Sequence, residues 1–419
     1  MKLSLVGVNH QTAPIIIREK VAISTGKLSD SLALLRSHIP HGIILSTCNR
    51  TEIYTADGDG QRAREASLSF LKAQLGTADT DLLPYVYVSD DKAAVEHLFR
   101  VAGGLESIIV GEFEVLGQVG QALEVAEKAG MVNLPLRHLF QSAIRTGRRT
   151  RELTAISKNA LSVSSVAVDL AAGIVGDLKK CKMLVIGAGE AGRLVAKVAK
   201  ERGTPQIVVA SRTRQRALAL AEAVGGIATE LNRLAEELST TDIVVTCAGA
   251  PHRILRVHQV EEAMRKRPEH PLVIIDIAVP RDVEPVVKQI SNVYLYDIDD
   301  LTEVSSLNRR QREGEIQKAE RIIADEVEQF ATWWRDLDLR PVITALMCKA
   351  EEIRCTQLNM TLKKLRPLSD EEQESLEAMT KSIMTKILKD PIEYLKANGN
   401  SESTEMVTEL FQLDKEKPA

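Results

Sequence analysis

Two short stretches combine residue types that can do chemistry. The first is Leu45-Ser46-Thr47-Cys48-Asn49-Arg50-Thr51-Glu52, where a cysteine follows an apolar run and is surrounded by polar groups. A thiol at a strand end beside Arg50 could have a lowered pKa and act as a nucleophile. Free cysteine is also among the most buried residue types, so a small core residue is the competing reading of Cys48. The second stretch is Gly187-Ala188-Gly189-Glu190-Ala191-Gly192. It follows the apolar run Met183–Ile186 and opens a helical pattern over 191–200, the setting that makes such a turn a dinucleotide-binding fingerprint. Gly187 allows the tight turn, Gly189 lets backbone approach a pyrophosphate, and Gly192 lets helix and strand pack closely. The helix N-terminus adds unpaired N–H groups and a partial positive charge.

The end of the next strand bears on the cofactor. A carboxylate there would bind a ribose 2′-hydroxyl and repel a 2′-phosphate. Here the run 207–210 ends in Ser211-Arg212-Thr213-Arg214. Arg212 can fork onto a phosphate, and Ser211 and Thr213 can donate to it, which predicts NADPH. Cys247, after the strand 243–246, is a second thiol near the expected nicotinamide position, or a small core residue. His97, beside Leu98 and Phe99, suits either a core histidine or a proton donor. His10 reads as structural.

These residues need elements to position them. The runs 1–8 and 42–47 suit strands, 27–37 suits a helix, and 92–153 is helical with Gly103-Gly104 and Gly111 as punctuation. This predicts an N-terminal α+β catalytic domain over 1–156. Over 157–301, short apolar strands at 183–186, 207–210, 243–246, 273–276 and 293–296 alternate with helical segments. That is the texture of a doubly wound, Rossmann-type α/β domain with a parallel sheet. Beyond Leu301 the strands stop. Ile316, Ala319, Ile323, Val327, Phe330, Trp334 and Leu337 form one apolar stripe on a long helix, which Pro341 is expected to break or restart. Further stripes run Val342, Leu346, Ala350, Ile353 and Leu376, Met379, Ile383, Ile387. Such stripes predict an all-helical dimerisation domain over 302–419, with an intramolecular bundle as the alternative.

The chain has 419 residues, 44% hydrophobic and 27% charged, a net charge of −4 and only 3% aromatic residues. Those values suit a soluble globular chain of several domains and argue against a single-strand stacking platform. Five scattered cysteines without a Cys/His cluster predict reduced thiols, a cytoplasmic protein and no metal site. No apolar stretch has membrane-spanning length. Between Met131 and Lys158, six basic residues (Arg137, Arg145, Arg148, Arg149, Arg151, Lys158) face one acidic residue, Glu152. Arg145, Arg148 and Arg149 share a helix face and suit phosphate contacts, or simply a solvated face.

Four stretches together resemble the glutamyl-tRNA reductase family over nearly the whole chain. They are Gly7-Val8-Asn9-His10-Gln11-Thr12-Ala13-Pro14 with Arg18-Glu19, then 45–54 around Cys48, then 97–107, and then Ile275 through Val283. The resemblance implies that Cys48 is the nucleophile and that His97 is needed for activity. It implies that Thr47, Asn49 and Arg50, with Ser107, Glu112, Phe113, Glu114 and Gln118, line the substrate pocket. It further implies NADPH-dependent reduction of glutamyl-tRNA(Glu) to glutamate-1-semialdehyde through a cysteine thioester, the first committed step of tetrapyrrole biosynthesis, in a homodimer joined by the C-terminal helices. Glutamate-1-semialdehyde aminotransferase is a further partner that this leaves open. The chain departs from the family in carrying Phe113-Glu114 where Pro-Gln is usual, and Lys389 where His is frequent. Arg50 is the expected partner of the glutamate side-chain carboxylate, or else serves the thiol alone. A reductase of a free metabolite, similar to shikimate dehydrogenase, shares the glycine turn and the Ser-Arg-Thr element. It leaves Thr47–Arg50 and the long C-terminal helices unexplained, as does a non-catalytic NADP-sensing oligomer that binds tRNA.

Overall fold

The computed structural model describes residues 2–75, 81–157, 162–301, 312–366, 368–398 and 401–413. The chain divides into two compact units, Met1–Val327 and Glu328–Ala419.

The first unit holds two sheets. Strands β1 (Lys2–Asn9), β2 (Ile43–Ser46), β3 (Arg50–Asp57) and β4 (Tyr87–Asp90) form an antiparallel sheet in the order β2-β3-β1-β4. Nearly every residue of β1 and β3 is buried, so both faces of this sheet are covered. That explains why β1 reads as a continuous apolar run rather than an alternating one. Around the sheet lie α1 (Ile15–Val21), α2 (Leu28–Arg36), α3 (Gly60–Leu75), α4 (Asp91–Ala102), α5 (Glu114–Lys128) and α6 (Leu134–Leu153). The periodicity leaves β3 and β4 unmarked, because β3 carries Arg50, Thr51, Glu52 and Thr55 at positions that tertiary contacts bury.

The second sheet is fully parallel, in the order β10-β9-β8-β5-β6-β7. Its strands are β5 (Lys182–Ile186), β6 (Gln206–Ala210), β7 (Ile227–Thr229), β8 (Ile243–Thr246), β9 (Leu272–Asp276) and β10 (Val293–Asp297). Helices α7 (Val163–Val175), α8 (Glu190–Glu201), α9 (Arg214–Val224), α10 (Leu234–Leu238) and α11 (Val257–Lys266) complete it. Two separate apolar clusters cover its two faces, as a doubly wound fold requires. The order reverses between β5 and β8, and the crevice there is the expected ligand position. Strand β7 is three residues long at the sheet edge, too short to leave a periodicity signal.

Helix α12 (Glu313–Leu362) begins in the first unit, followed along the chain by α13 (Asp370–Asn398) and α14 (Ser401–Leu410). The expectation of a break at Pro341 is overturned, because α12 continues through it. Proline removes one backbone hydrogen bond, but Leu339 and Leu346, seven residues apart and so on one face, are buried on either side of it and keep the helix packed across it. No helix among the described residues is long and apolar enough to cross a membrane.

Candidate active site

Cys48 sits at the tip of the hairpin joining β2 to β3. The Thr47 N–H donates to the Arg50 carbonyl at 2.8 Å, closing a turn whose tip is Cys48-Asn49. The Asn49 carbonyl accepts from the His10 N–H at 2.9 Å, tying the tip to the end of β1. Asn49 is buried, and its side-chain Oδ1 has no partner among the described residues. A buried acceptor left open at the hairpin tip marks a place where a ligand donor would fit. His10 is pushed down to about 4 by burial, with Arg50 and Arg18 adding to the effect, so its ring is neutral near pH 7.

The Arg50 guanidinium is engaged by two protein groups. Its Nη1 donates to Glu52 Oε1 at 2.8 Å and its Nη2 to the Glu106 carbonyl at 2.5 Å. Glu52 is fully buried and collects donors from four residues. They are Arg50, Tyr54 Oη at 2.6 Å, Tyr87 Oη at 2.6 Å and His97 Nε2 at 2.9 Å. Burial alone would raise this carboxyl, but Arg50 and His97 outweigh it and hold Glu52 far below the ordinary carboxylate range. His97, on α4, thus belongs to an ionic and phenolic network centred on a carboxylate that sequence reasoning did not single out. The signal was present as Glu52 alternating with Arg50 and Tyr54 on one strand face, since residues i and i+2 share a face.

The expected lowering of the Cys48 pKa is overturned. Burial pushes the thiol up to about 12, and Glu112 and Glu114 push it the same way. The opposing cation is Arg18, whose Nη1 donates to the Cys48 carbonyl at 3.0 Å. Burial also pushes Glu114 up to about 7, reinforced by Glu112 and by Glu190 of the glycine turn. Glu112 is raised by burial, with Ser107, Arg50 and Arg151 opposing. Cys48, Glu112, Glu114 and Glu190 therefore share one electrostatic neighbourhood. Gln118 is half-buried on α5, whereas Phe113 is 62% exposed with the Arg151 guanidinium 5.9 Å from its ring centroid. Replacing Glu114 by glutamine removes a like charge beside the thiol. Iodoacetamide labelling of Cys48 at pH 8, followed by peptide mapping, is expected to accelerate about three- to tenfold, as half to one pKa unit would give. An unchanged rate would show that Glu114 does not govern the thiol.

The glycine turn lies at the switch point between β5 and β8. Gly187 has a φ of +118°, a region that favours glycine. A Cβ on Gly192 would fall 2.0 Å from the Gly187 carbonyl oxygen. Space beyond Gly189 is open, with nothing within 4 Å of where its Cβ would stand. Gly189 caps α8 without a side-chain hydrogen bond, leaving the first N–H groups for an anion. One crevice is lined by Gly187, Ala188 and Gly189 together with Ser211, Arg212 and Thr213. These residues fit a dinucleotide. Arg212 is exposed and makes no hydrogen bond or ion pair among the described residues, whereas Arg214 lies 3.8 Å from Glu230. A wider groove between α8 and α9, reaching Lys197 and Lys200, adjoins the crevice at Ala188, Gly189 and Arg216. We place the dinucleotide in the crevice because it contains the strand ends.

Cys247 is held close against the glycine turn. Its Sγ lies 3.3 Å from the Ile186 carbonyl and 2.9 Å from where a Gly187 Cβ would be, and burial raises its pKa. It packs beneath the glycine turn. Two carboxylates that sequence reasoning passed over hold the neighbouring loops. Asp276 accepts from Thr246 Oγ1 at 2.7 Å and the Val283 N–H at 2.9 Å. Asp282 accepts from the Ala248 N–H at 2.7 Å and the Ala250 N–H at 3.1 Å.

The basic face of α6 is partly spent internally. Arg149 and Arg145 face buried Glu326 at 2.6 and 3.8 Å, and Arg151 donates to the carbonyls of Ala102, Gly147 and Glu112. Arg148 stays exposed, and Lys158 lies outside the described residues. No cluster of three or more potential metal ligands occurs among the described residues.

A phosphate-gripping turn at the switch point of a doubly wound sheet, sharing an apolar cluster with a hairpin cysteine, defines a dinucleotide-dependent oxidoreductase. The family model described as "Glutamyl-tRNAGlu reductase, N-terminal domain" matches residues 6–154, and "Glutamyl-tRNAGlu reductase, dimerisation domain" matches 318–413. Between them, "Shikimate / quinate 5-dehydrogenase" matches 169–304. The glutamyl-tRNA reductase of Natranaerobius thermophilus is 40% identical over 426 residues, covering 99% of this chain and 93% of that protein. That of Moorella thermoacetica is 41% identical over 414 residues, covering 97% and 94%. The solved glutamyl-tRNA reductase from Methanopyrus kandleri is 33% identical, with a TM-score of 0.51 and 99% of both chains covered. The chain belongs to the glutamyl-tRNA reductase family.

Proposed function

We propose that this enzyme reduces glutamyl-tRNA(Glu) to glutamate-1-semialdehyde with NADPH, using Cys48 as acyl carrier. The observation that carries this reading is that Cys48 packs against the same apolar cluster as Ala188 and Ala191 of the glycine turn. The Cys48 sulfur attacks the ester carbonyl, the bond to the tRNA 3′-oxygen breaks, and the proton passes to that oxygen. The product is a thioester, a better hydride acceptor than an oxygen ester. NADPH supplies the hydride when bound, and loss of the sulfur then releases the aldehyde. Because burial keeps the free thiol protonated, its proton must leave as the ester arrives. Glu112 and Glu114, both carboxyls raised by burial, are the acceptors at hand. Thr47, Asn49, Ser107 and Gln118 line the glutamyl pocket in this reading. Arg50, held by Glu52, fixes the hairpin and meets the glutamate carboxylate with its remaining donors. His97, anchored on the same Glu52, orients the ester.

Residues 1–156, 157–301 and 302–419 serve as catalytic, NADPH and dimerisation domains. Ile353, Met379, Ile383 and Ile387 leave half or more of their surface exposed along the C-terminal helices, an apolar face suited to a second copy of the chain. Arg148 and the exposed edge of α6 suit the tRNA backbone, in a cytoplasmic enzyme. The test is an assay with glutamyl-tRNA, NADPH and an aldehyde trap. Turnover of glutamyl-tRNA but not of free glutamate supports the reading, and the reverse would favour a free-metabolite reductase. Arg212→Ala should raise KM for NADPH about 10- to 100-fold, as loss of a charged hydrogen bond worth about 1.5–3 kcal/mol predicts. KM for NADH should scarcely change, and an equal rise for both would remove Arg212 from the 2′-phosphate site.

A further inference from the structure

Arg18 and Glu19 lie side by side on α1, and neither is used by the chemistry above. Arg18 is buried and has three partners. Its Nη1 holds the Cys48 carbonyl at 3.0 Å, its Nε the Ala13 carbonyl at 3.1 Å, and its Nη2 reaches Asp299, two residues after β10. The same Asp299 accepts from the Ile15 N–H at 3.2 Å. Glu19 takes Arg281 in a fork, Nε to Oε2 at 3.1 Å and Nη2 to Oε1 at 3.0 Å, and also the Arg281 backbone N–H at 3.2 Å. Arg253 adds its Nη2 at 3.1 Å and donates through Nη1 to the Arg281 carbonyl. Burial penalises the Glu19 charge, but hydrogen bonds from Arg281 and Arg253 outweigh that and keep the carboxyl below its ordinary value.

The partners share one location. Arg253, Arg281 and Asp299 stand on the segments that follow β8, β9 and β10, at the C-terminal edge of the parallel sheet. That is the edge along which dinucleotides lie in such folds. Around the ionic contacts, Ile15, Ile108 and Ile109 enter the apolar cluster of the parallel sheet. Two adjacent side chains on one short helix therefore join the Cys48 hairpin to three successive strand ends.

We propose that Arg18 and Glu19 form a docking latch that seats the nucleotide-binding edge on the Cys48 hairpin and decides whether the Cys48 thioester is reduced or hydrolysed. The inference rests on Cys48 as acyl carrier. A thioester has two fates here. Addition of hydride and loss of the sulfur give the aldehyde, whereas addition of water and loss of the sulfur give free glutamate. Forming the thioester needs only the hairpin and its pocket. Reducing it needs the strand-end edge held in place, and small misplacement of reacting partners is costly. Glu19 and Asp299 are thus positioning residues on opposite sides of the latch.

The experiment compares wild type, Glu19→Gln and Asp299→Asn as full-length proteins. With glutamyl-tRNA alone, hydrolysis by either variant should stay within about twofold of wild type. With NADPH added, the ratio of semialdehyde to glutamate should fall about tenfold or more in both. Hydrogen exchange supplies a reading independent of turnover. The amide of Arg281, which Glu19 accepts, and those of 249–254 should exchange faster in Glu19→Gln. Ratios within twofold of wild type in both variants would overturn the latch, as would a parallel fall of hydrolysis and reduction. A wild type that forms no aldehyde would overturn the functional reading and the latch with it. Unchanged ratios beside a productive wild type overturn the latch alone.

Discussion

Cys48→Ser is expected to reduce glutamyl-tRNA at least about a thousandfold more slowly than wild type, with NADPH binding and thermal unfolding unchanged. Serine differs from cysteine by one atom and keeps the hairpin. That hairpin is held by the Thr47 N–H on the Arg50 carbonyl at 2.8 Å and by Arg18 on the Cys48 carbonyl at 3.0 Å, both main-chain contacts at the tip. The loss is therefore chemical. A serine hydroxyl in a setting that already pushes a thiol up to about 12 is a far weaker nucleophile, and its ester gains nothing over the substrate as a hydride acceptor. NADPH-independent hydrolysis of glutamyl-tRNA should disappear with it, because water then has no thioester to attack. Fluorescence titration with NADPH separates the two sites, since Cys48 does not line the dinucleotide crevice. If Cys48→Ser reduces glutamyl-tRNA at near wild-type rate, covalent catalysis at this position is wrong.

Glu52→Gln carries the largest expected cost in stability, about 3–5 kcal/mol by denaturant unfolding at pH 7. The carboxylate is fully buried, and Arg50, at 2.8 Å, is itself only 2% exposed. Removing the anion leaves a guanidinium inside the protein without its counter-charge. Two phenols and a histidine lose an ionic acceptor in the same step. The pH dependence follows from the direction of the Glu52 shift. Its folded value is depressed, so its contribution is fully present above the unfolded value of about 4.3 and is lost as pH falls through the folded one. The gap between wild type and Glu52→Gln should thus be constant from about pH 6 to 8 and shrink only in acid. A gap under about 1 kcal/mol at pH 7 would mean that the network relaxes around glutamine.

Residue types and local spacing already carried the dinucleotide half of the site. A strand, a Gly-rich turn and a helix are adjacent in the chain, so their geometry is local, and the turn at Gly187–Gly192 sits where its pattern placed it. The lack of a carboxylate after β6 and the exposed Arg212, without a partner among the described residues, are likewise neighbours of one strand. The strands at 183–186, 207–210, 243–246, 273–276 and 293–296 were legible because a sheet buried on both faces leaves uninterrupted apolar runs.

What tertiary structure alone decided is where the charges go. Nothing local distinguishes Glu52, fully buried and met by four residues, from an exposed glutamate on a strand. Nor does the neighbourhood of Arg50 reveal that its guanidinium turns to Glu52 and Glu106, leaving Arg18, 30 residues before Cys48, as the cation near the thiol. The local expectation of an acidified cysteine failed for that reason. Burial and the sign of a distant neighbour set a pKa, and both are properties of the packed chain. The pairing of Glu19 with Arg253 and Arg281 spans more than 230 residues, a distance that periodicity and spacing cannot bridge. The sequence determined which chemistry the chain carries, because motifs are local. Folding determined which charges face the thiol and what joins it to the nucleotide edge, because Coulomb interactions and desolvation act through space.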